Sequence, residues 1–226
     1  MAELYHYGTK RHSGRYPWGS GNRPFQREVD SKDSRKIANE LYSTGIKKEP
    51  IITKNVQNAV RETNAHMYGL EHRLKTLNSI DRKIQTDSIE KSVSLKDSAN
   101  NIKDVVRYTT ISSNNDFVKN YNTFKAYLEL RGYTEERCRN YFEMYKEGKV
   151  KHKSVQSVFS DPEGYLFEVQ FQTKESQEAK DKKVPIYEER RKPGLSKKRE
   201  EQLEAMMIDL AEKVPYPKDI SKIKSH

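Results

Sequence analysis

Tyr165-Leu166-Phe167-Glu168-Val169-Gln170-Phe171-Gln172-Thr173 is the stretch on which the reading of this chain turns. Phe167, Val169 and Phe171 fall on one side, and Glu168, Gln170 and Gln172 on the other, with the two-residue period of a strand. A bulky apolar row opposite a polar row suits a sheet with one face on the core and the other lining a cleft. It suits an ordinary half-buried edge strand as well. Just upstream, Asp161-Pro162-Glu163-Gly164 supplies turn chemistry, so residues 154–159 and 165–172 are expected to form a hairpin.

Two earlier segments bear on the choice. One is His72-Arg73-Leu74-Lys75-Thr76-Leu77-Asn78-Ser79-Ile80-Asp81-Arg82-Lys83-Ile84, the other Lys103-Asp104-Val105-Val106-Arg107-Tyr108-Thr109. Residues 67–74 read as a strand that leads into a helix near 77–84. Arg73 and Lys75, two apart, would share one strand face; Ser79 and Lys83, four apart, would share one helix face. This arrangement sets a hydroxyl and three cations around a helix N-terminus, whose dipole also favours anions. Asp104 is expected on the next strand. The plainer alternative is an exposed basic face, since such spacings arise by chance among 43 Lys and Arg residues, with Asp104 paired to Lys103 or Arg107.

Taken in order, the basic strand-to-helix segment, the Asp104 segment and the Glu168 strand resemble the synthetase domain of the RelA/SpoT family. Arg73, Lys75, Ser79 and Lys83 stand at the spacing of its R-x-K-x-x-x-S-x-x-x-K pattern, and Glu168 and Gln170 match its E-x-Q strand. "KDVVRYT", "FEVQFQT" and "IYEERRKPG" are more similar still to RelA/SpoT-like domains of bacterial polymorphic toxins and phage-encoded proteins. The resemblance spans roughly residues 67–217. It implies an α/β (α+β) nucleotidyltransferase fold, a mixed sheet flanked by helices, that moves pyrophosphate from ATP to a nucleotide 3′-hydroxyl. Such transfer needs cations on the triphosphate, carboxylates for Mg²⁺ and an acceptor hydroxyl in line. By the match, Arg73, Lys75, Ser79 and Lys83 would hold the ATP phosphates, and Asp104 and Glu168 the metal. Glu168 is equally a candidate base, with Gln170 orienting it or touching the acceptor. Two acids suffice for Mg²⁺, which keeps waters and substrate phosphates as its other ligands.

The departures concern the acceptor. Where the synthetases carry a tyrosine that stacks on the acceptor base, this chain has His152, and Ser154 replaces the usual glycine nearby. Gln172 stands where the toxin pattern has histidine, and Thr109 where the alarmone synthetases have arginine. An adenine nucleotide or a tRNA 3′ end therefore fits as well as GDP or GTP. No His-Asp dipeptide is present, which disfavours the family's hydrolase chemistry, and the histidines lack zinc-site spacing.

Composition agrees with an anionic partner. The 226 residues carry a formal net charge of +10 and only 33% hydrophobic residues, with a pI near 9.4 and a mean hydropathy of −1.05. That balance favours nucleic acid or nucleotide phosphates and leaves part of the chain unburied. Cys138 is the sole cysteine, which excludes an intramolecular disulfide. No stretch nears the roughly 18 apolar residues of a membrane span, and no secretory h-region opens the chain, so no membrane partner is expected. The expected place of action is a host cytoplasm, or a phage particle.

Four regions follow: an aromatic, basic arm over 1–30, N-terminal helices over 31–66, the nucleotidyltransferase domain over 67–192, and a C-terminal helix and tail over 193–226. The arm is expected to be flexible. Its residues 1–27 interleave Tyr5, Tyr7, Tyr16, Trp18 and Phe25 with Lys10, Arg11, Arg15 and Arg23, a mixture suited to stacking plus phosphate contact or to docking on a particle. It is similar to a short motif of phage-associated proteins. Separate helices are expected at 31–42 and 54–66, and a polar connection at 85–101. The most strongly periodic helix carries Phe117, Tyr121, Phe124 and Leu128, capped by Asn114 or Asn115 and ended by Gly132. A strand is expected near 132–145 and a helix over 197–214, with Leu203, Met206, Met207 and Leu210 as its apolar stripe. Two functions remain open: a phage- or mobile-element-encoded pyrophosphokinase-type effector acting on a nucleotide or tRNA, and an inactive virion-associated or nucleic-acid-binding protein with the same fold.

Overall fold

The computed structural model describes residues 31–190 and 194–226; the arm expected over 1–30 lies outside the described residues. Five strands, β1 (His66–Tyr68), β2 (Arg107–Ser112), β3 (Thr134–Asn140), β4 (Val155–Ser160) and β5 (Leu166–Thr173), form one sheet in the order β1-β2-β5-β4-β3. The β2–β5 pair is parallel and the others are antiparallel, so the sheet is mixed. Around it lie α1 (Ser31–Arg61), α2 (Leu77–Lys91), α3 (Leu95–Asn100), α4 (Phe117–Glu129), α5 (Tyr141–Lys146), α6 (Lys174–Arg190) and α7 (Lys197–Glu212). This is the expected α+β architecture. Among the described residues, no helix is long and apolar enough to cross a membrane.

The expected hairpin forms, with Phe159 opposite Phe167. Its turn is held by Asp161, whose Oδ1 accepts from the backbone N–H of Glu163 at 2.9 Å and of Tyr165 at 2.8 Å. Gly164, at φ +83°, supplies the left-handed residue. β5 is the central strand, not an edge, and its two faces have different fates. Phe167, Val169 and Phe171 join Tyr108, Phe124, Leu128, Ile52 and Val56 in the main core. There Phe124 meets Phe171 edge to face at 5.2 Å between centroids. Burying each such side chain stabilises by roughly 1.5–3 kcal/mol, which fixes the register and sends Glu168, Gln170 and Gln172 to the opposite face. A second core of Ala38, Ile80, Ile84, Ala99, Ile102 and Val105 ties α2 and α3 to the first turns of α1. Val214, Ile220 and Ile223, beyond α7, return to the main core.

Several elements differ from the sequence reading. The two helices expected at 31–42 and 54–66 are one, with Pro50 inside it. A proline there removes a helix bond at a cost of about 3 kcal/mol, offset by the continuous buried face of Ala38, Ile52, Val56 and Ala59. The strand expected over 67–74 stops at Tyr68, because Gly69 adopts φ +59° and starts a 3₁₀ turn over Leu70–His72; only Leu74 rejoins the sheet, as a single bridge to Val106. Residues 85–101 are the end of α2 and all of α3 rather than a polar connection. The expected 132–145 strand gives way to α5 after Asn140, whose side chain caps that helix by accepting from Phe142 and Glu143. α4 is preceded by Asp116 rather than Asn114 or Asn115, and Ser113 accepts the Asp116 N–H. α7 ends at Glu212, and Met206 of its expected apolar stripe is 47% exposed.

Candidate functional site

Asp104 sits at the centre of the first cluster. It lies three residues ahead of β2, not on a strand as expected, in the segment between α3 and β2. Thr76 caps α2 by accepting from the Ser79 N–H, which sets the direction of the helix. Lys83, two turns in, then reaches Asp104 Oδ1 at 3.0 Å. Lys75 is fixed from its backbone, whose N–H donates to Val105 O at 2.8 Å, and its Nζ donates to Asp104 Oδ2 at 2.5 Å. Arg107, first residue of β2, holds a guanidinium nitrogen 3.9 Å from the same oxygen. Burial alone would raise the Asp104 carboxyl; Lys75 and Lys83 outweigh it and hold it at about 2. Three cations around one ionised carboxylate leave the cluster net positive.

The polar sheet face continues from there. Arg107 is in register with Glu168, and Gln156 with Gln170, so all four share the face opposite the main core. Gln170 Nε2 donates to Glu168 Oε1 at 2.6 Å, and Lys180 of α6 donates to Gln170 Oε1 at 2.6 Å. These two bonds fix the Gln170 amide and, with it, one Glu168 oxygen. Farther along, α6 and residues just beyond α7 close a cleft of about 200 Å³ lined by His152, Lys153, Gln156, Gln172, Lys180 and Lys183, among others. His152 packs on Tyr141 with ring centroids 4.2 Å apart. Its imidazole is pushed down to about 4, first by burial and then by Lys183 and Lys180, so it is neutral at pH 7.

The structure thus brings Lys75, Lys83 and Asp104 together, and places Glu168 and Gln170 on the adjoining strand with Arg107 in between. Arg73 departs from the expected shared strand face: its backbone is helical, and its Nε donates instead to Glu49 of α1, which also accepts from Thr53. Ser79 sits in the first turn of α2, accepting at Oγ from the Thr76 hydroxyl at 2.9 Å. His152 lies at the far end of the polar face. Sequence reading missed Lys180 and Lys183, which α6 delivers from beyond the end of β5 with no period to announce them. Gln156 was more accessible, because it alternates with Val155 and Ser157 on a strand. For Mg²⁺ the donor chemistry of Asp104 and Glu168 fits, being two carboxylates without thiolate or imidazole. Among the described residues no group of three or more His, Cys, Asp or Glu is arranged to hold a metal ion.

No family model matches the chain, and no curated protein matches it. Solved structures do. Small alarmone synthetase 1 from Bacillus subtilis aligns over 81% of this chain and 92% of its own, at 16% identity and a TM-score of 0.50. The same protein bound to its product pppGpp aligns over 76% and 88%, at 16% identity and a TM-score of 0.49. The Type VI effector Tas1, in complex with its immunity protein, aligns over 84% and 100%, at 17% identity and a TM-score of 0.40. At such identity the first of these likenesses speaks to architecture alone, and the architecture is the RelA/SpoT synthetase fold.

Proposed function

We propose that this protein is a pyrophosphokinase-type nucleotidyltransferase that moves the β,γ-pyrophosphate of ATP to the 3′-hydroxyl of a nucleotide or of a tRNA. The observation that carries the reading is the convergence of Lys75, Lys83 and Arg107 on Asp104, with Arg107 in register beside Glu168 on the polar sheet face. A triphosphate is the kind of anion that such a cluster takes; Ser79 would extend the phosphate contacts, as would Arg73 on exchanging Glu49 for phosphate. Mg²⁺ held by Asp104 and Glu168 would neutralise charge on the phosphates. Glu168 also accepts the proton of the acceptor hydroxyl as its oxygen attacks the β-phosphorus; the bond to the α,β-bridging oxygen breaks and AMP leaves. Gln170 keeps Glu168 aimed, and His152 offers a neutral ring to the acceptor base. The similarity of three segments to toxin-like and phage-encoded domains supports an effector from a phage or mobile element, acting in a host cytoplasm.

The test is incubation of the full chain with labelled ATP, a nucleotide panel and bulk tRNA. Glu168→Gln keeps shape and hydrogen bonding but not the base, so transfer should fall by about 10²–10⁴-fold with ATP binding largely retained. Arg73→Ala should weaken both transfer and ATP binding. If wild-type protein transfers nothing and binds ATP no better than Arg73→Ala does, the catalytic reading fails. The net charge of +10 would then favour the rival, a virion-associated or nucleic-acid-binding protein that keeps the fold without the reaction.

A further inference from the structure

The cleft between α6 and the polar sheet face contains more positive charge than the reaction above uses. Lys183 is 3% exposed and donates from Nζ to Lys151 O at 2.6 Å; Lys153 is 5% exposed and donates to Val214 O at 2.7 Å. Lys180 donates to the Gln170 side chain at 2.6 Å. Each ammonium has three donors, and a single acceptor is present for each among the described residues, with no carboxylate in ion-pair contact. Lys180 and Lys183, three apart on α6, face the same way. Lys153 adds the faces of Tyr145 and Tyr216 at 4.6 and 4.2 Å, which tolerate a cation without neutralising it.

Burying ammonium groups without a carboxylate in contact is costly, and a fold that does so at one end of a cleft is poised for an anion. Burial, then Arg107, holds Lys180 down at about 8 against the opposing pull of Asp181 and Glu168, and burial, then Lys153, holds Lys183 down at about 8. The other polar lining, Gln156, Gln172 and neutral His152, adds donors and no carboxylate. At about 200 Å³ the cleft is smaller than the 300–1,000 Å³ usual for a whole ligand, so it suits one group of a larger molecule.

We propose that Lys153, Lys180 and Lys183 form a phosphate-binding site, separate from the Asp104 cluster, that takes a terminal phosphate of a nucleotide. That phosphate belongs either to the acceptor, whose 3′-hydroxyl then lies toward Glu168, or to a separate nucleotide that regulates the enzyme.

His152 lines the same cleft, so its ring protons report occupancy without ATP or turnover. Inorganic phosphate and inorganic pyrophosphate should each shift the His152 resonances of the full chain saturably at pH 7, the signals being identified by their loss in His152→Gln. Lys183→Met should weaken that binding roughly tenfold or more, by removing a charge-assisted contact, and Lys75→Met should leave it unchanged. Because Lys183→Met deletes a buried cation without a counter-ion, it should melt no lower than wild type; if it does not fold, Lys180→Met replaces it. No saturable shift, or an unchanged affinity in a folded lysine variant, overturns the proposal. In the transfer assay, a higher KM of Lys183→Met for a nucleoside 5′-phosphate but not for the nucleoside assigns the site to the acceptor. A rate altered by inorganic phosphate at constant acceptor KM assigns it to a regulator. Absence of transfer with the His152 shift intact would sink the catalytic reading alone.

Discussion

At the residue scale, Asp104 shows how one carboxylate can organise a site. With Lys75 19% and Asp104 12% exposed, the pair is largely out of water, and each charge depends on the other. A carboxyl held at about 2 against an ordinary 3.8 contributes stability that is complete above pH 4 and is lost as the pH falls through 2. The shift corresponds to roughly 2 kcal/mol, so thermal denaturation between pH 5 and pH 2 should show a steeper loss in wild type than in Asp104→Asn. At pH 7 that variant should itself be less stable, by about 2–4 kcal/mol, because Lys75 is left without its counter-ion. An added polyphosphate should then raise the melting temperature of Asp104→Asn more than that of wild type, since it replaces the missing negative charge. Equal rises would show that the lysines do not meet the added anion. Lys75, Lys83 and Asp104 were legible through the resemblance of their two segments to the RelA/SpoT synthetase pattern, although Asp104 lies 29 residues from Lys75. The Arg73–Glu49 pair was not, since a Glu on a helix 24 residues earlier carries no sign that it will face Arg73.

At the element scale, α1 is the member that composition disguised. Gly45 and Pro50 fall between the two helices expected at 31–42 and 54–66, yet the glycine serves an approach. A Cβ at residue 45 would stand 2.8 Å from Val105 Cγ1 and 3.3 Å from both Leu74 Cδ1 and Tyr165 Oη. Val105 and Leu74 directly flank Asp104 and Lys75, so Gly45 sets how closely α1 seats against the segments that build the cluster. Helix propensity alone would reward Gly45→Ala by about 1 kcal/mol, while overpacking a buried contact costs about 1–3 kcal/mol. Because Val105 is 4% exposed and has nowhere to retreat, overpacking wins. Gly45→Ala should therefore lower the melting temperature and weaken ATP binding together, readable by thermal denaturation and calorimetry; a stabilised variant with unchanged binding would refute the account. The contrast with legible elements is physical. α4 and the β4–β5 hairpin declare themselves because each repeats its own apolar period against one large core. α1 packs on two cores at once, and α3 is too short for any period to show.

At the scale of the whole molecule, the chain beyond α7 completes the sheet rather than trailing from it. His226 exchanges backbone hydrogen bonds with Cys138, N–H to O at 3.0 Å and 3.1 Å, and so lies along the outer edge of β3. Asn140, 1% exposed, gives both of its amide hydrogens to this segment, to Ile220 O and Ile223 O at 2.9 Å each. Ile220 and Ile223 are themselves in the main core, where α1 also packs, so segments from both ends of the described chain share one interior with the sheet. An uncovered edge strand is a template for pairing with another chain, and this tail covers one. Removing residues 215–226 should take away the burial of Ile220 and Ile223, worth roughly 1.5–3 kcal/mol each, and leave the buried Asn140 amide unpaired at about 1–3 kcal/mol. Against a typical total of about 5–15 kcal/mol, that loss is large. The truncated chain should melt more than about 10 °C lower and self-associate through β3, as measured by thermal denaturation and light scattering. Because α5 and the residues around His152 follow directly from β3, the truncation should also abolish the phosphate-induced shift of His152. A truncated protein that melts as wild type does and stays monomeric would show that the tail is an accessory, and that the sheet closes its own edge.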